Sequence, residues 1–303
     1  MPKNNIRLNA GSVIRDSSLP HREAEILSAF VLNKSREYIL THPEAPLSLT
    51  QFKKFRALEL RRLKNWPIAY LTGHKEFYSR DFLVSPAVLT PRPETEMMID
   101  EIIQLSRAFY NKFEGFSARY QAPLIIDLGT GSGAIIITAV SEIKRHFPVI
   151  FKKTGFAAVD ISASALQIAK KNAARHKLRS RIKFYRGNLL TPLKLTARGL
   201  AGRQVIIAAN LPYLTRAQIK AAPSISREPK VAIDGGKDGL KYYEQLFRQV
   251  ATLGTLSSAY LLCEIDPAQP AKLRRLLKKF LPDATIEFAR DLAGHYRLAK
   301  ISL

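Results

Sequence analysis

Apolar residues recur every three to four positions through the first part of the chain. Near residues 75–95 the pattern changes to short apolar runs separated by glycine-rich turns. In HREAEILSAFVLNKSREYILTHPE, Ile26, Leu27, Phe30 and Val31, then Tyr38 and Leu40, keep helical spacing. SLTQFKKFRALELRRLKNW is a second such stretch, with Phe52, Phe55, Leu58 and Leu63 on one side and Thr50 as N-cap. It stops at Trp66-Pro67, because proline disfavours helix in the residue before it. Residues 1–74 therefore read as a small helical domain. EFYSRDFLVSPAVLTPRPETE follows, rich in β-formers and broken by three prolines, and predicts a hairpin linker over 75–93.

Beyond Pro123 the order becomes strand, glycine-rich turn, helix, strand. LIIDLG, GFAAVDIS, IKFYRG, QVIIAAN and AYLLCEI are strand candidates. SGAIIITAVSEIKRH and SASALQIAKKNAARHK have helical length, the latter with Ser162 or Ser164 as cap. Alternation of this kind argues an α/β domain over 94–303, a parallel sheet with helices on both faces.

Composition narrows the class. With 46% hydrophobic and 24% charged residues the chain reads as globular. No apolar run approaches the roughly 18–20 residues of a membrane span, and MPKNNIRLNAGSVIRDSS has no secretory apolar core. A single cysteine, Cys263, excludes an intramolecular disulfide framework and a cysteine-based metal cluster. A cytoplasmic protein without a metal is expected. The net charge of +23 is unevenly spread: residues 161–227 hold fourteen Lys and Arg and no Asp or Glu. The stretch 170–186, with Lys170, Lys171, Arg175, Lys177, Arg179 and Arg181, reads either as an RNA or ribosome footprint or as a solvated basic face.

Candidate chemistry lies at three strand ends. In IIDLGTGSGA, Gly129, Gly131 and Gly133 alternate through a strand-to-helix turn, letting backbone approach a ligand closely. No GK[ST] follows, so a nucleotide P-loop is disfavoured. Asp160 ends the next strand, where a carboxylate can accept both hydroxyls of a ribose. Together they indicate an adenosine-containing ligand, NAD or S-adenosylmethionine. The sequence NLPY, residues 210–213, separates the two. A planar NH2 group attacks a methyl poorly unless its two N–H groups are held and its nitrogen is aimed. The Asn210 side-chain oxygen can accept one N–H and the carbonyl of Leu211 the other, while Pro212 stiffens the turn and the Tyr213 ring lies against the flat group. This is catalysis by positioning, without a strong base.

NLPY together with DLGTGSG resembles the amino-methyltransferases. Residues 67–96, PIAYLTGHKEFYSRDFLVSPAVLTPRPETE, are very similar to the HemK/PrmC family of protein N5-glutamine methyltransferases. So are SREYILTHPE, REPKVAIDGGKDGLKYYEQL and RDLAGHYRLAKISL. The resemblance implies a Rossmann-like seven-stranded class I methyltransferase domain, with a small N-terminal helical substrate-recognition domain joined by a β-hairpin. It implies S-adenosylmethionine as cofactor, and as substrate the glutamine of the Gly-Gly-Gln motif in class I peptide-chain release factors. Carried over residue by residue, it assigns the cofactor loop to Gly129, Thr130, Gly131, Ser132 and Gly133. The ribose carboxylate falls on Asp160, the adenine neighbours on Asn188 and Leu189, and the catalytic turn on Asn210, Leu211, Pro212 and Tyr213, with Asn210 also beside the cofactor. The family often has an acid and an aromatic where Asn188 and Leu189 stand, and proline where Leu211 stands. If Leu211 contributes only its carbonyl, proline there should be tolerated. NLPY also occurs in rRNA adenine dimethyltransferases, so a methylase of an RNA or DNA adenine amino group is one alternative, and a ribosomal-protein glutamine methylase another. Glu94 and Glu96 in PRPETE are assigned no catalytic role, since capping the next helix explains them equally well.

Overall fold

The computed structural model describes residues 8–114, 121–200, 203–223, 225–254 and 258–303. The chain divides into two compact units, residues 1–74 with 223–227, and residues 75–222 with 228–303.

The first unit is helical: Ala10–Arg15, His21–Leu32, Arg36–Thr41, Leu49–Leu63 and Ile68–Thr72. Leu27, Ile39 and Phe55 are fully buried at its centre. The periodicity located the helices but misjudged parts of their faces. Leu40 and Leu63 are exposed, and Ile39 takes the inward position. Ser48, not Thr50, caps Leu49–Leu63, in a reciprocal box with Gln51. Arg61 and Arg227 lie 4.5 and 5.5 Å from the Trp66 ring, and Arg227 donates to the Lys64 carbonyl, which accounts for the grouping of residues 223–227 with this unit.

The second unit opens with the hairpin β1 (His74–Phe77) and β2 (Arg80–Leu83). Its Phe77 and Phe82 are buried against Met98 and Ile99 of the helix Glu96–Glu114, so the hairpin packs into this unit's core. Glu96 stands in the first turn of that helix, and its carboxylate accepts the Tyr78 N–H at 2.8 Å, which ties down the hairpin turn. The main sheet is built from β3 (Gln121–Leu128), β4 (Gly155–Asp160), β5 (Lys183–Arg186), β6 (Arg203–Ala209), β7 (Ala259–Glu264), β8 (Thr285–Arg290) and β9 (Tyr296–Ser302). Its seven strands run in the order β5-β4-β3-β6-β7-β9-β8. The first five are parallel, but β9 is antiparallel to both β7 and β8, so the sheet is mixed and the expected all-parallel arrangement holds only for its larger part.

Strand alternation sends successive side chains to opposite faces. Ile126, Val159, Ile207 and Cys263 pack with Tyr243, Phe247 and Leu273 on one face, whereas Ile125, Ala158, Ile206 and Leu262 pack with Ile99, Ile136 and Val140 on the other. Covered on both sides, β6 is buried from Gln204 to Ala209, which explains its unbroken apolar run. Among the described residues no helix is long and apolar enough to cross a membrane.

Candidate active site

β3 pairs with β4 on one side and β6 on the other, so the chain reverses its direction of winding there. A crevice opens where such strands end. In register, Leu128 stands beside both Val159 and Ala209, which brings the turns after the three strands to one level. They surround a cleft that is partly open to solvent, at the place where ligands bind in open α/β sheets.

Of the residues picked from the sequence, Gly129 to Ser132, Asp160, Asn188, Leu189 and Asn210 to Pro212 all line this cleft. Gly133 and Tyr213 do not. Gly133 sits at the start of the helix Ala134–His146 and faces Ile137 and Ala169. The Tyr213 hydroxyl donates to Glu264 Oε1 at 3.0 Å.

The glycine loop is held from both ends. The N–H groups of Gly129 and Thr130 donate to the Val159 carbonyl, and Thr130 Oγ1 donates to Asp127 Oδ2 at 2.6 Å. Gly131 N–H donates to Asp160 Oδ2 at 2.9 Å, while Asp160 Oδ1 accepts from the Ser162 N–H at 2.8 Å. Burial raises the pKa of Asp160 above the usual range, against the lowering by these backbone donors. Asp127 is fully buried, and burial pushes it up to about 7 despite the Thr130 bond, with the nearby Asp160 charge adding to the rise. The turn at 188–190 is fixed by a neighbouring helix: Gln249 accepts the Leu190 N–H at 2.8 Å, and Leu189 is held at φ +51°.

The 210–213 turn is braced as firmly. Gln269 donates to the Tyr213 carbonyl at 3.1 Å, and a Cβ on Gly239 would lie 2.1 Å from that same oxygen, so only glycine fits there. Leu211 is buried, and its Cδ2 lies 3.3 Å from where a Gly129 Cβ would stand. Asn210 spends its amide hydrogens: Nδ2 donates to Glu264 Oε2 at 2.9 Å and to Thr95 Oγ1 at 3.1 Å. Thr95 in turn donates to Glu264 Oε2 at 2.5 Å. The Asn210 oxygen is left as an acceptor beside the cleft.

Several residues at the site escaped the sequence reading. Thr95 was visible only as part of PRPETE. Arg92 lines the cleft and pairs with buried Glu228 at 2.5 Å, and Glu228 also accepts the Thr90 N–H. Val231, Ala232 and Tyr242 close one wall. Glu264 had a usable signal, a lone acid ending the otherwise apolar AYLLCEI. Among the described residues no cluster of His, Cys, Asp or Glu could hold a metal.

Two family descriptions match, the PrmC N-terminal domain over residues 8–73 and a methyltransferase domain over 123–262. A release factor glutamine methyltransferase of Koribacter versatilis is 37% identical, covering 78% of this chain and 75% of the relative. One of Dictyoglomus turgidum is 34% identical, covering 92% and 90%. Among solved structures, the N-terminal domain of human METTL16 in complex with SAH aligns over 90% of this chain and 92% of that one, with TM-score 0.50 and 15% identity, a likeness of fold alone.

Proposed function

The chain belongs to the HemK/PrmC family of release factor glutamine methyltransferases, and on that premise we infer that it methylates the side-chain amide nitrogen (N5) of a release-factor glutamine. The cofactor is S-adenosylmethionine, which supplies an electrophilic methyl group when bound. The cleft suits it: the space a Gly131 Cβ would take is open, its nearest neighbour being Gly129 O at 3.8 Å, and a buried carboxylate, Asp160, stands beside it. In our reading Gly129 to Ser132 cradle the cofactor, Asp160 takes its ribose, and Asn188 and Leu189 flank its base.

The observation that carries the catalytic assignment is the anchored Asn210 amide. An amide nitrogen is a weak nucleophile because its lone pair is delocalised. With Nδ2 already engaged, Asn210 presents Oδ1 to one substrate N–H, and the Leu211 carbonyl takes the other. Both acceptors are fixed before substrate arrives, so little reorganisation remains for the reaction. Mass spectrometry of release-factor peptides spanning Gly-Gly-Gln, after incubation with cofactor, tests the reading. A mass gain of one methyl on the glutamine is expected, and none on a Gly-Gly-Ala control. Methylation of a structured rRNA fragment in place of the glutamine would overturn it.

The helical unit, 1–74, is the substrate-recognition domain in this proposal, 75–93 the linker and 94–303 the catalytic domain. Release factors act in the cytoplasm, and so does the enzyme. Ribosome or RNA contact through 170–186 has narrower support than the charge count suggests. Arg175 pairs with Asp81, Arg181 donates to the Phe151 carbonyl, and Arg179 lies over the Phe184 ring. Lys170, Lys171 and Lys177 remain without an ion pair among the described residues. If ribosome co-sedimentation is unchanged when these three are reversed in charge, the stretch is a solvated face.

A further inference from the structure

The group that decides which way the Asn210 amide faces is a carboxylate one strand away. Glu264 ends β7 with only 3% of its surface exposed. Three donors converge on its two oxygens: Thr95 Oγ1 and Asn210 Nδ2 on Oε2, and the Tyr213 hydroxyl on Oε1. The backbone carbonyl of the same residue accepts the hydroxyl of fully buried Tyr243. An ionised carboxylate accepts and cannot donate, so the amide edge of Asn210 that meets it has to be the NH2 edge. The opposite edge, Oδ1, receives no donor from the described residues.

We propose that Glu264 is a positioning residue for methyl transfer, locking the Asn210 amide so that its oxygen, not its NH2, is offered to the substrate amide. A flipped Asn210 would present two donors to a substrate group that also carries two donors, and the nucleophile would be pushed away rather than held. Thr95 reinforces the choice, because its hydroxyl proton is committed to Glu264 and its oxygen is free to accept from Nδ2. Tyr213 serves the same end from the other oxygen, which gives the fourth residue of NLPY a role that does not require contact with substrate. Burial raises the Glu264 pKa, the Thr95 and Tyr213 hydrogen bonds and the Arg297 charge oppose that rise, and the Glu94 charge adds to it.

The inference rests on the amide-methylase reading, and its test separates the two. Glu264→Gln keeps shape but brings an NH2 group that can donate to Asn210 Oδ1 and so release the flip. Its kcat on a release factor should fall by about 10²–10³, the scale of losing a preorganised acceptor at a reacting centre. Cofactor Kd and melting temperature should stay close to wild type. The exchanged pair, Asn210→Asp with Glu264→Gln, again gives one acceptor-only group and one amide. The carboxylate introduced at position 210 can then accept from the amide introduced at position 264 and still offer an oxygen to substrate. Its kcat should therefore recover about tenfold or more over the Glu264→Gln single variant. A residue with a merely structural role would give no such rescue.

A second measurement needs no turnover. In 15N-labelled protein the Asn210 side-chain NH2 signals, identified by their loss in Asn210→Asp, should be protected from exchange in the wild type and lose protection in Glu264→Gln. Wild-type protein that fails to methylate the glutamine refutes the functional reading and leaves this measurement decisive for the lock. Equal protection in both proteins, or a Glu264→Gln variant with wild-type kcat, overturns the positioning role.

Discussion

Two glycines of one loop should fail in different ways when each is replaced by alanine. Both hold positive φ, +54° at Gly131 and +82° at Gly133, so each substitution carries the left-handed penalty of about 1–2 kcal/mol for an L-residue. Their surroundings differ. A Cβ on Gly131 would meet nothing nearer than Gly129 O at 3.8 Å and would project into the cleft. A Cβ on Gly133 would lie 2.9 Å from Ile137 Cδ1, 3.2 Å from Ala169 Cβ and 3.3 Å from Ala169 Cα, inside a packed helix contact. Overpacking of this kind adds about 1–3 kcal/mol. Gly133→Ala should therefore lose about 2–5 kcal/mol of stability, which at roughly 2–4 °C per kcal/mol for a domain of this size lowers Tm by about 4–20 °C. Gly131→Ala should lose only the backbone part, about 2–8 °C. Its methyl should instead weaken S-adenosylmethionine binding about tenfold or more, the same overpacking cost now charged to the complex. Differential scanning calorimetry without ligand and isothermal titration with S-adenosylmethionine read the two quantities separately. A Gly131→Ala protein with wild-type affinity, or a Gly133→Ala protein no less stable than Gly131→Ala, would refute the division of roles.

Three other outcomes follow from the same geometry. Asp160→Ala should weaken S-adenosylmethionine by roughly ten- to hundredfold in calorimetry, through lost charge-assisted hydrogen bonds. Asp160→Asn, which retains one acceptor for the Gly131 or Ser162 N–H, should lose less, and equal losses would point to the ribose role alone. For Asp127, burial lifts the folded-state pKa to about 7 from an ordinary value of 3.8, so the folded protein keeps a proton that the unfolded chain has released between those pH values. Stability from this group is full at the acid end and lost as pH rises towards 7. The stability of Asp127→Asn relative to wild type should accordingly improve from pH 4 to 7 and then level off in urea titrations of the ligand-free protein. A gain largest at acid pH would contradict the burial argument. Leu211→Pro keeps the carbonyl acceptor but exchanges a buried side chain packed over Gly129. Against the tolerance expected from the sequence, it should lower Tm while kcat of the folded fraction stays near wild type. A kcat loss as large as that of Asn210→Ala would show that Leu211 does more than offer its carbonyl.

What could be read from the residues alone was whatever depends on local spacing. Helical periodicity located the first unit's helices, and the run QVIIAA announced a strand buried on both faces. One failure was local, and the others came where a second segment decides. Thr50 looked like a cap, but Ser48, just before it in the chain, finds Gln51 as reciprocal partner. Leu63 kept the right spacing yet points outward, because periodicity fixes which residues share a face and not where the neighbouring helices sit. The strands β8 and β9 went unmarked: TIEFAR and YRLAKIS interleave polar with apolar residues, β8 lies at the edge of the sheet, and the place of β9 between β8 and β7, antiparallel to both, depends on segments other than its own. At the site, Gly129 to Ser132, Asp160 and Asn210 were legible because each stands at a strand end beside its own motif. Thr95 and Arg92 were not, since nothing within PRPETE indicates that one reaches Glu264 and the other Glu228.

The pairing of Asn210 with Glu264 shows how sheet register makes chemistry from residues far apart in sequence. β6 and β7 are parallel neighbours, and Ala209 stands opposite Cys263. One step further along both strands brings Asn210 level with Glu264, and partners at the same level of a parallel pair turn their side chains to the same face. That face is the one covered by the helix beginning at Glu96, whose preceding turn carries Thr95. Tyr243, from the opposite face, ties the two strand ends together by reaching the carbonyls of both Ala209 and Glu264. A slip of one residue between β6 and β7 would send Glu264 to the other face and leave its buried carboxylate without the donors of Thr95 and Asn210. The cost of such a charge is severe, so the acid that orients the catalytic amide also penalises the misregistered sheet.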